Sequence, residues 1–295
     1  MAIATQHVTD PRNAPTKVLI LGSSGMVGRS WVQLLKSRRI PYRALQRPAI
    51  DLLEPTSLYK AIEADDTLVV NAAAWTDVDG AESDVDTATT ANGHAVGQLA
   101  RRCSEIGSTL IHYSTDYVFA GDAKTPYPID AAIDPVNIYG QSKALGEELV
   151  RQFLPENHLL VRTSWVYAPW GNNFVRTMLK LQSEREMLRV VNDQRGRPTS
   201  AQELAESSLK LYLAGALGTW HSTDSGECTW FEFAKAIASI NENSCIIEAC
   251  PSSEYPRPAK RPGYSTLDIS ATTELIGAAT NWLDALDRCI QEIKN

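Results

Sequence analysis

Lys17-Val-Leu-Ile-Leu-Gly-Ser-Ser-Gly-Met-Val-Gly28 is the stretch on which the fold turns. Its apolar run ends at Gly22, after which Val27, Trp31, Leu34 and Leu35 recur at helical spacing, so it reads as strand, tight turn, helix. The glycines permit a tight turn and a close backbone approach, and a pyrophosphate can rest on the helix amino terminus that follows. GxxGxxG is looser than the commoner GxGxxG, and a bare match would be a structural turn; the position between strand and helix favours nucleotide binding. Gly22, Ser24, Gly25, Met26, Val27 and Gly28 are therefore expected to contact a cofactor.

Outward from this loop, short strands are predicted at Tyr42 to Gln46, Thr67 to Asn71, Thr109 to Tyr113 and Leu159 to Thr163. Helical patterning lies between them: Ala95, Leu99, Cys103 and Ile106 mark one apolar stripe, and Leu145, Leu149 and Phe153 another. Strands alternating with helices imply an α/β fold with a Rossmann-like, doubly wound parallel sheet. Beyond about residue 165 the alternation weakens. Capping-box patterns at Ser200 to Glu203 and Thr229 to Glu232 open amphipathic runs, prolines 251, 256, 258 and 262 crowd a loop, and a last helix is expected near Trp282 to Ile293. The organisation expected is a loose tail over 1–15, a nucleotide-binding domain over 16–165 with part of 190–225, and a smaller C-terminal substrate-binding lobe made mostly of 166–295.

The chain has 295 residues, 43% of them apolar and 21% charged, enough for a core without staples. A net charge of −7 lacks the basic stripe that nucleic acids or anionic membranes demand, so a small-molecule partner is expected. Cys103, Cys228, Cys245, Cys250 and Cys289 show no CxxC spacing, which suits reduced thiols in a cytoplasmic setting. No apolar run approaches a membrane span, and the first fifteen residues lack the basic start and apolar stretch of a secretory signal. His94, His112, His158 and His221 are dispersed without metal-ligand spacing and are expected to be structural or surface residues; no metal site is expected.

Tyr139-Gly-Gln-Ser-Lys143 carries the chemistry: a phenol and an ammonium one helical turn apart share a face. A lysine held there is expected to lower the phenol's pKa and let Tyr139 exchange a proton with a substrate oxygen. Ser114-Thr115-Asp116-Tyr117 follows a strand at the sheet edge where open α/β proteins bind ligands, and Thr115, with Ser114 in reserve, is the expected donor to a carbonyl oxygen gaining charge. Gln46 and Arg47 stand where an acid usually binds the adenosine ribose, and an arginine there suits a 2′-phosphate, so NADPH is expected in preference to NADH. Asp51 and Leu52 are placed to flank the adenine, and Ala72, Ala73 and Ala74 let a cofactor backbone pass. Of the tryptophans only Trp165, just past a strand, is placed to line a site. Asn173, Gln194 and Arg261 are polar enough to hold a diphosphate or sugar, or to serve as structural hydrogen-bonding groups.

With the glycine loop, Ser114 to Phe119 and Tyr139 to Lys143 in this order, the chain resembles the extended short-chain dehydrogenase/reductases and, within them, the dTDP-4-dehydrorhamnose reductases. The narrower resemblance spans roughly residues 16 to 292 and includes Asn71 to Ala74 with Val78-Asp79, Arg162 to Tyr167, Gly171 to Phe174, Asn192-Asp-Gln194 with Gly196 and Pro198-Thr199, and Tyr255-Pro256 with Pro258-Ala259 and Arg261-Pro262. It implies Thr115, Tyr139 and Lys143 as catalytic triad, Trp165 near the sugar, and reduction of the C4 ketone of a dTDP-linked 6-deoxy-4-keto-hexose. Asn92 joins the expected cofactor contacts. Val78, Ser114, Asp116 and Tyr117 join the substrate contacts. Ser30 stands where some members carry a glutamate that helps bind magnesium between subunits, so a homodimer, if formed, is not expected to be bridged by metal. Two other readings stay open. A sugar-nucleotide epimerase or dehydratase would recycle bound NAD, although dehydratases usually have a glutamate base where Tyr117 stands. A regulatory subunit like that of methionine adenosyltransferase would keep much of the site without turnover.

Overall fold

The apolar run at the start of the fold is β2 of a computed structural model that describes residues 7–295. In chain order the first half comprises β1 (His7–Val8), β2 (Val18–Leu21), α1 (Met26–Arg38), β3 (Tyr42–Leu45), α2 (Pro55–Ala61), β4 (Leu68–Asn71), α3 (Val78–Ser83), α4 (Val85–Thr89), α5 (Ala95–Ile106), β5 (Thr109–Thr115), α6 (Ile138–Phe153) and β6 (His158–Thr163). A π-helical turn at Thr90–His94 joins α4 to α5. The second half adds β7 (Val166–Tyr167), α7 (Phe174–Glu184), β8 (Met187–Val191), β9 (Arg195–Gly196), β10 (Thr199–Ser200), α8 (Ala201–Leu213), β11 (Ala216–His221), β12 (Cys228–Thr229), α9 (Trp230–Ile240), β13 (Ile246–Cys250), α10 (Ser270–Ile276) and α11 (Trp282–Lys294).

The main sheet runs β1-β11-β6-β5-β4-β2-β3, parallel except for β1. The chain leaves β2 for β3 on one side and returns to β4 on the other, so the crevice at the carboxyl ends of β2 and β4 is a topological switch point. The central strands are buried on both faces. One layer gathers Ile20, Trp31, Val70, Ile111 and Val161 with Leu204 and Tyr212 of α8, the other Leu19, Val69, Leu99, Cys103 and Leu160 with Val150 of α6. A separate core around Phe233, Trp282 and Leu286 unites α7, α9 and α11 with the small sheets of the second half.

Three expectations are corrected. Of the tail expected to be loose, residues 1–6 lie outside the described residues, while His7–Val8 pairs antiparallel with Leu217 and Ala216 and Arg12 donates to Thr109 Oγ1 at 2.9 Å. Ser200 makes no side-chain cap for α8; Glu203 instead bonds Arg288 and Thr280, and the Ser200 N–H donates to Asp224. In α6 the expected stripe of Leu145, Leu149 and Phe153 is only partly buried, while the fully buried face carries Lys143 and Glu147. Glu147 makes that tolerable by accepting from Arg162 Nε at 2.8 Å and Nη2 at 2.7 Å. By contrast, the Thr229–Glu232 capping box of α9 is present with both reciprocal bonds.

Candidate active site

Gly22 closes β2 in the left-handed region, at φ +81°, and a Cβ there would lie 2.7 Å from the Ala73 nitrogen. Only glycine suits both conditions. A Cβ at Gly28 would lie 2.1 Å from the Gly22 carbonyl oxygen, so Gly28 lets α1 pack on the loop and does not itself line the cleft. α1 starts without a side-chain cap and with no acidic residue in its first turn, which leaves its amides and dipole available to an anion. These features open onto a cleft of about 920 Å³ that runs along the carboxyl edge of the sheet toward the second half of the chain.

Gly22, Ser24, Gly25, Met26, Val27, Arg47, Leu52, Ala72, Ala73, Ala74 and Val78 line this cleft, together with Ser114, Thr115, Asp116, Tyr117, Tyr139, Lys143 and Trp165. Six expected residues do not. Besides Gly28, Asp51 is engaged with Arg47 at 3.2 Å and with the Leu53 N–H. Asn92 ties the loop after β4 to α6, accepting from Trp75 N–H at 2.9 Å and donating to the Trp75 carbonyl and Ser142 Oγ at 3.0 Å. Asn173 caps α7 and bonds the Ala168 and Trp170 carbonyls. Gln194 donates to Ser252 Oγ, and Arg261 pairs with Asp79 at 3.0 Å. These five are polar side chains engaged by the fold, an outcome indistinguishable in sequence from ligand binding.

The helix bearing Tyr139 is aimed by its own amino terminus. Asn137 accepts from Gly140 N–H at 2.8 Å, and Glu82 of α3 accepts from Ile138 N–H at 2.8 Å. Close approach matters here, because a Cβ at Gly140 would sit 2.2 Å from the Tyr117 carbonyl and one at Gly146 2.2 Å from that of Asn92. The α6 backbone is thereby seated against the end of β5, which brings Tyr139 beside Thr115. Tyr139 also meets Tyr117 edge to face, with ring centroids 6.0 Å apart.

The electrostatics differ from the sequence expectation. Desolvation by the surrounding protein, reinforced by the charge of Asp116 and opposed by a hydrogen bond with Thr115, pushes the Tyr139 phenol up to about 12. Lys143 does not lower it, because its ammonium is directed to the Tyr113 carbonyl at 2.6 Å, with His112 Nε2 at 3.4 Å. Burial brings Lys143 itself down to about 8, against the pull of Glu147. Asp116 is raised to about 7 by burial, opposed by hydrogen bonds with Ser265 and Thr115, and its Oδ1 accepts from Thr115 Oγ1 at 2.9 Å. Tyr139 is thus a neutral phenol across the neutral range, suited to give a proton to an oxygen that becomes more basic than itself.

Trp165 has φ +46°, an unusual conformation for a bulky residue, and its ring stacks on Trp230 with centroids 3.5 Å apart. Gly196 leaves room for the indole, since a Cβ there would lie 2.7 Å from it. Trp230, together with Trp75, Asp77, Thr163, Ser164 and Asn172, also lines the cleft and was missed from sequence, where Trp165 alone was placed at a site. The one available signal for Trp230 was its position directly after the Thr229 cap. Among the described residues no group of three or more His, Cys, Asp or Glu could hold a metal ion, and no helix is long and apolar enough to cross a membrane.

Comparison with known proteins accords with this geometry. The family model described as the RmlD substrate binding domain matches residues 16–295. The chain is 39% identical to a dTDP-4-dehydrorhamnose reductase of Burkholderia thailandensis, over 94% of this chain and 99% of that protein. It is 38% identical to the spore coat polysaccharide biosynthesis protein SpsK of Bacillus subtilis, over 94% and 98% respectively. A solved dTDP-4-dehydrorhamnose reductase from Bacillus anthracis, in complex with NADP, matches with a TM-score of 0.90 at 32% identity, covering 94% of this chain and 99% of that one.

Proposed function

Since the chain belongs to the dTDP-4-dehydrorhamnose reductase family, we propose that it uses NADPH to reduce the C4 ketone of a dTDP-linked 4-keto-6-deoxyhexose, converting dTDP-4-dehydro-L-rhamnose to dTDP-L-rhamnose. The observation that carries this reading is the convergence of Tyr139 and Thr115 with the uncapped start of α1 on one cleft. Its size is that of a small-molecule site. The relative from Bacillus anthracis was solved with NADP, and the glycine loop and the alanines at 72–74 leave the space a dinucleotide needs.

When bound, NADPH supplies the hydride for the keto carbon. The chain's own groups do the rest. Thr115 Oγ1 turns its one proton from Asp116 to the carbonyl oxygen and polarises it, and Tyr139 Oη gives its proton to the nascent alkoxide. Lys143 holds the coenzyme ribose, Arg47 its 2′-phosphate, and the stacked Trp165 and Trp230 offer an apolar face to the sugar. In this direction the raised phenol is an advantage, because it stays protonated until the alkoxide forms.

NADPH oxidation with dTDP-4-dehydro-L-rhamnose tests the proposal. Tyr139→Phe should lower turnover by at least about 10²-fold while NADPH affinity stays nearly unchanged. Turnover retained by the variant overturns the role of Tyr139. No consumption of added NADPH by the unaltered protein favours an epimerase, a dehydratase or a regulatory subunit instead.

A further inference from the structure

We propose that Asn71 and His112 oppose protonation of Lys143 in the empty cleft, so that in mildly alkaline solution NADPH binding draws a proton onto Nζ. This rests on the reading above in which Lys143 meets the coenzyme ribose. His112 is a positioning residue, buried beneath the cleft and absent from its lining.

The inference follows from donor and acceptor inventory. Asn71, at the end of β4, accepts the Ala73 N–H through Oδ1 at 3.2 Å, which leaves its Nδ2 facing His112 Nδ1 at 3.0 Å. An amide NH₂ only donates, so Nδ1 accepts and the proton of the neutral ring sits on Nε2. Burial, with Lys143 nearby, pushes the His112 pKa well down, so the ring is neutral. Nε2–H then points at Lys143 Nζ, 3.4 Å away. An ammonium has three donors and no acceptor and is opposed by that N–H. An amine accepts from it and still donates to the Tyr113 carbonyl at 2.6 Å.

The surrounding charges do not undo this. Glu147, one turn along α6, favours the ammonium, but its oxygens are already held by Arg162 of β6 at 2.7 and 2.8 Å and by Arg151 at 3.2 Å. β4 presents only the neutral Asn71 amide, and β5 presents His112 and the Tyr113 carbonyl. Tyr139, on the same helix, is a neutral phenol, while Asp116 lies against Thr115 and Tyr139. A coenzyme brings hydroxyl acceptors and phosphate charge, both of which favour the ammonium.

Calorimetric titration of the full chain with NADPH at about pH 8.5, in two buffers of different ionisation enthalpy, counts the protons taken up. An amine titrating near 8 is about one-quarter protonated there, so roughly 0.7 proton should be taken up per NADPH. His112→Gln offers an amide oxygen that accepts from the ammonium, so uptake should fall below about 0.3. Above about pH 8, NADPH affinity of the unaltered protein should fall about tenfold per pH unit and that of the variant much less. A ring that merely fills space would not move this pH profile. Lys143→Met should bind more weakly and take up no proton.

Uptake below about 0.3 in the unaltered protein, undiminished uptake in folded His112→Gln, or uptake retained in Lys143→Met would each overturn the proposal, the last assigning the proton to another group such as Asp116. If His112→Gln does not fold, the other two proteins decide. If Lys143→Met binds NADPH as tightly as the unaltered chain, the ribose assignment itself fails. Weakened binding by Lys143→Met together with uptake below about 0.3 in the unaltered protein leaves that assignment standing and removes only the role of His112.

Discussion

Arg47 follows β3 at the rim of the cleft with 71% of its side chain exposed and pairs with Asp51 at 3.2 Å. An exposed pair of this kind contributes little to stability, so the guanidinium can turn to a phosphate at small cost. Arg47→Ala should therefore leave thermal stability unchanged and raise the KM for NADPH at least about tenfold, since a charged hydrogen bond is worth about 1.5–3 kcal/mol, with the KM for NADH unaffected. Steady-state kinetics with both coenzymes checks this; parallel changes would show that Arg47 does not read the 2′-phosphate. One helical turn apart, Tyr139 and Lys143 both line the cleft, yet the phenol is raised by burial rather than lowered by the lysine. Nζ has a backbone carbonyl within reach, and a buried ammonium takes the nearest acceptor.

Two helices deliver the aromatic and acid groups, and each is positioned by its first turn. For α9 the Thr229 hydroxyl accepts from Glu232 N–H at 3.1 Å while the Glu232 carboxylate accepts from Thr229 N–H at 2.7 Å. Trp230 is the first helical residue after this cap and stacks on Trp165. Thr229→Ala should cost about 1 kcal/mol in chemical unfolding and should raise the KM for the sugar nucleotide more than that for NADPH, because the loosened Trp230 lines the part of the cleft proposed to take the sugar. A loss of stability with both KM values unchanged would separate the cap from the site. That capping box was legible as Thr-x-x-Glu. The similar Ser200-x-x-Glu203 was not realised, because Asp224 and Arg288 compete for the same groups from elsewhere in the chain. The buried Lys143–Glu147 face of α6 was equally hidden, since its partner Arg162 lies fifteen residues beyond Glu147, on β6.

Across the whole molecule, buried acids set an opposing pH dependence of stability. Burial pushes Glu147 upward, but Arg162 and then Arg151 prevail and hold it at about 2. Its folded pKa is depressed, so the stability it contributes is present above its ordinary value of 4.5 and lost as pH falls toward 2. Asp224 behaves in the reverse sense: burial raises it from 3.8 to about 8, against a hydrogen bond from Ser200 N–H. Its contribution is complete below 3.8 and is lost as pH rises through 8. Asp224→Asn retains an oxygen for Ser200 and removes the charge. It should therefore raise the melting temperature strongly at about pH 9 and much less at about pH 5. Equal displacement at both pH values would mean that ionisation of Asp224 is not the cause.

Local order was written in the chain itself. The alternation of apolar runs with helical stripes determined a parallel sheet wound on both faces, and Gly22, Thr115, Tyr139 and Lys143 stood at strand ends and helix starts that any such sheet brings to one edge. Those features depend on neighbours within a few residues, whose geometry the backbone dictates. Tertiary structure alone decided that Trp230 joins Trp165, that Asn92, Asn173, Gln194 and Arg261 spend their hydrogen bonds on the fold, and that His112 faces Lys143. Such pairings join groups distant in sequence, and a polar side chain takes the partner that packing places beside it.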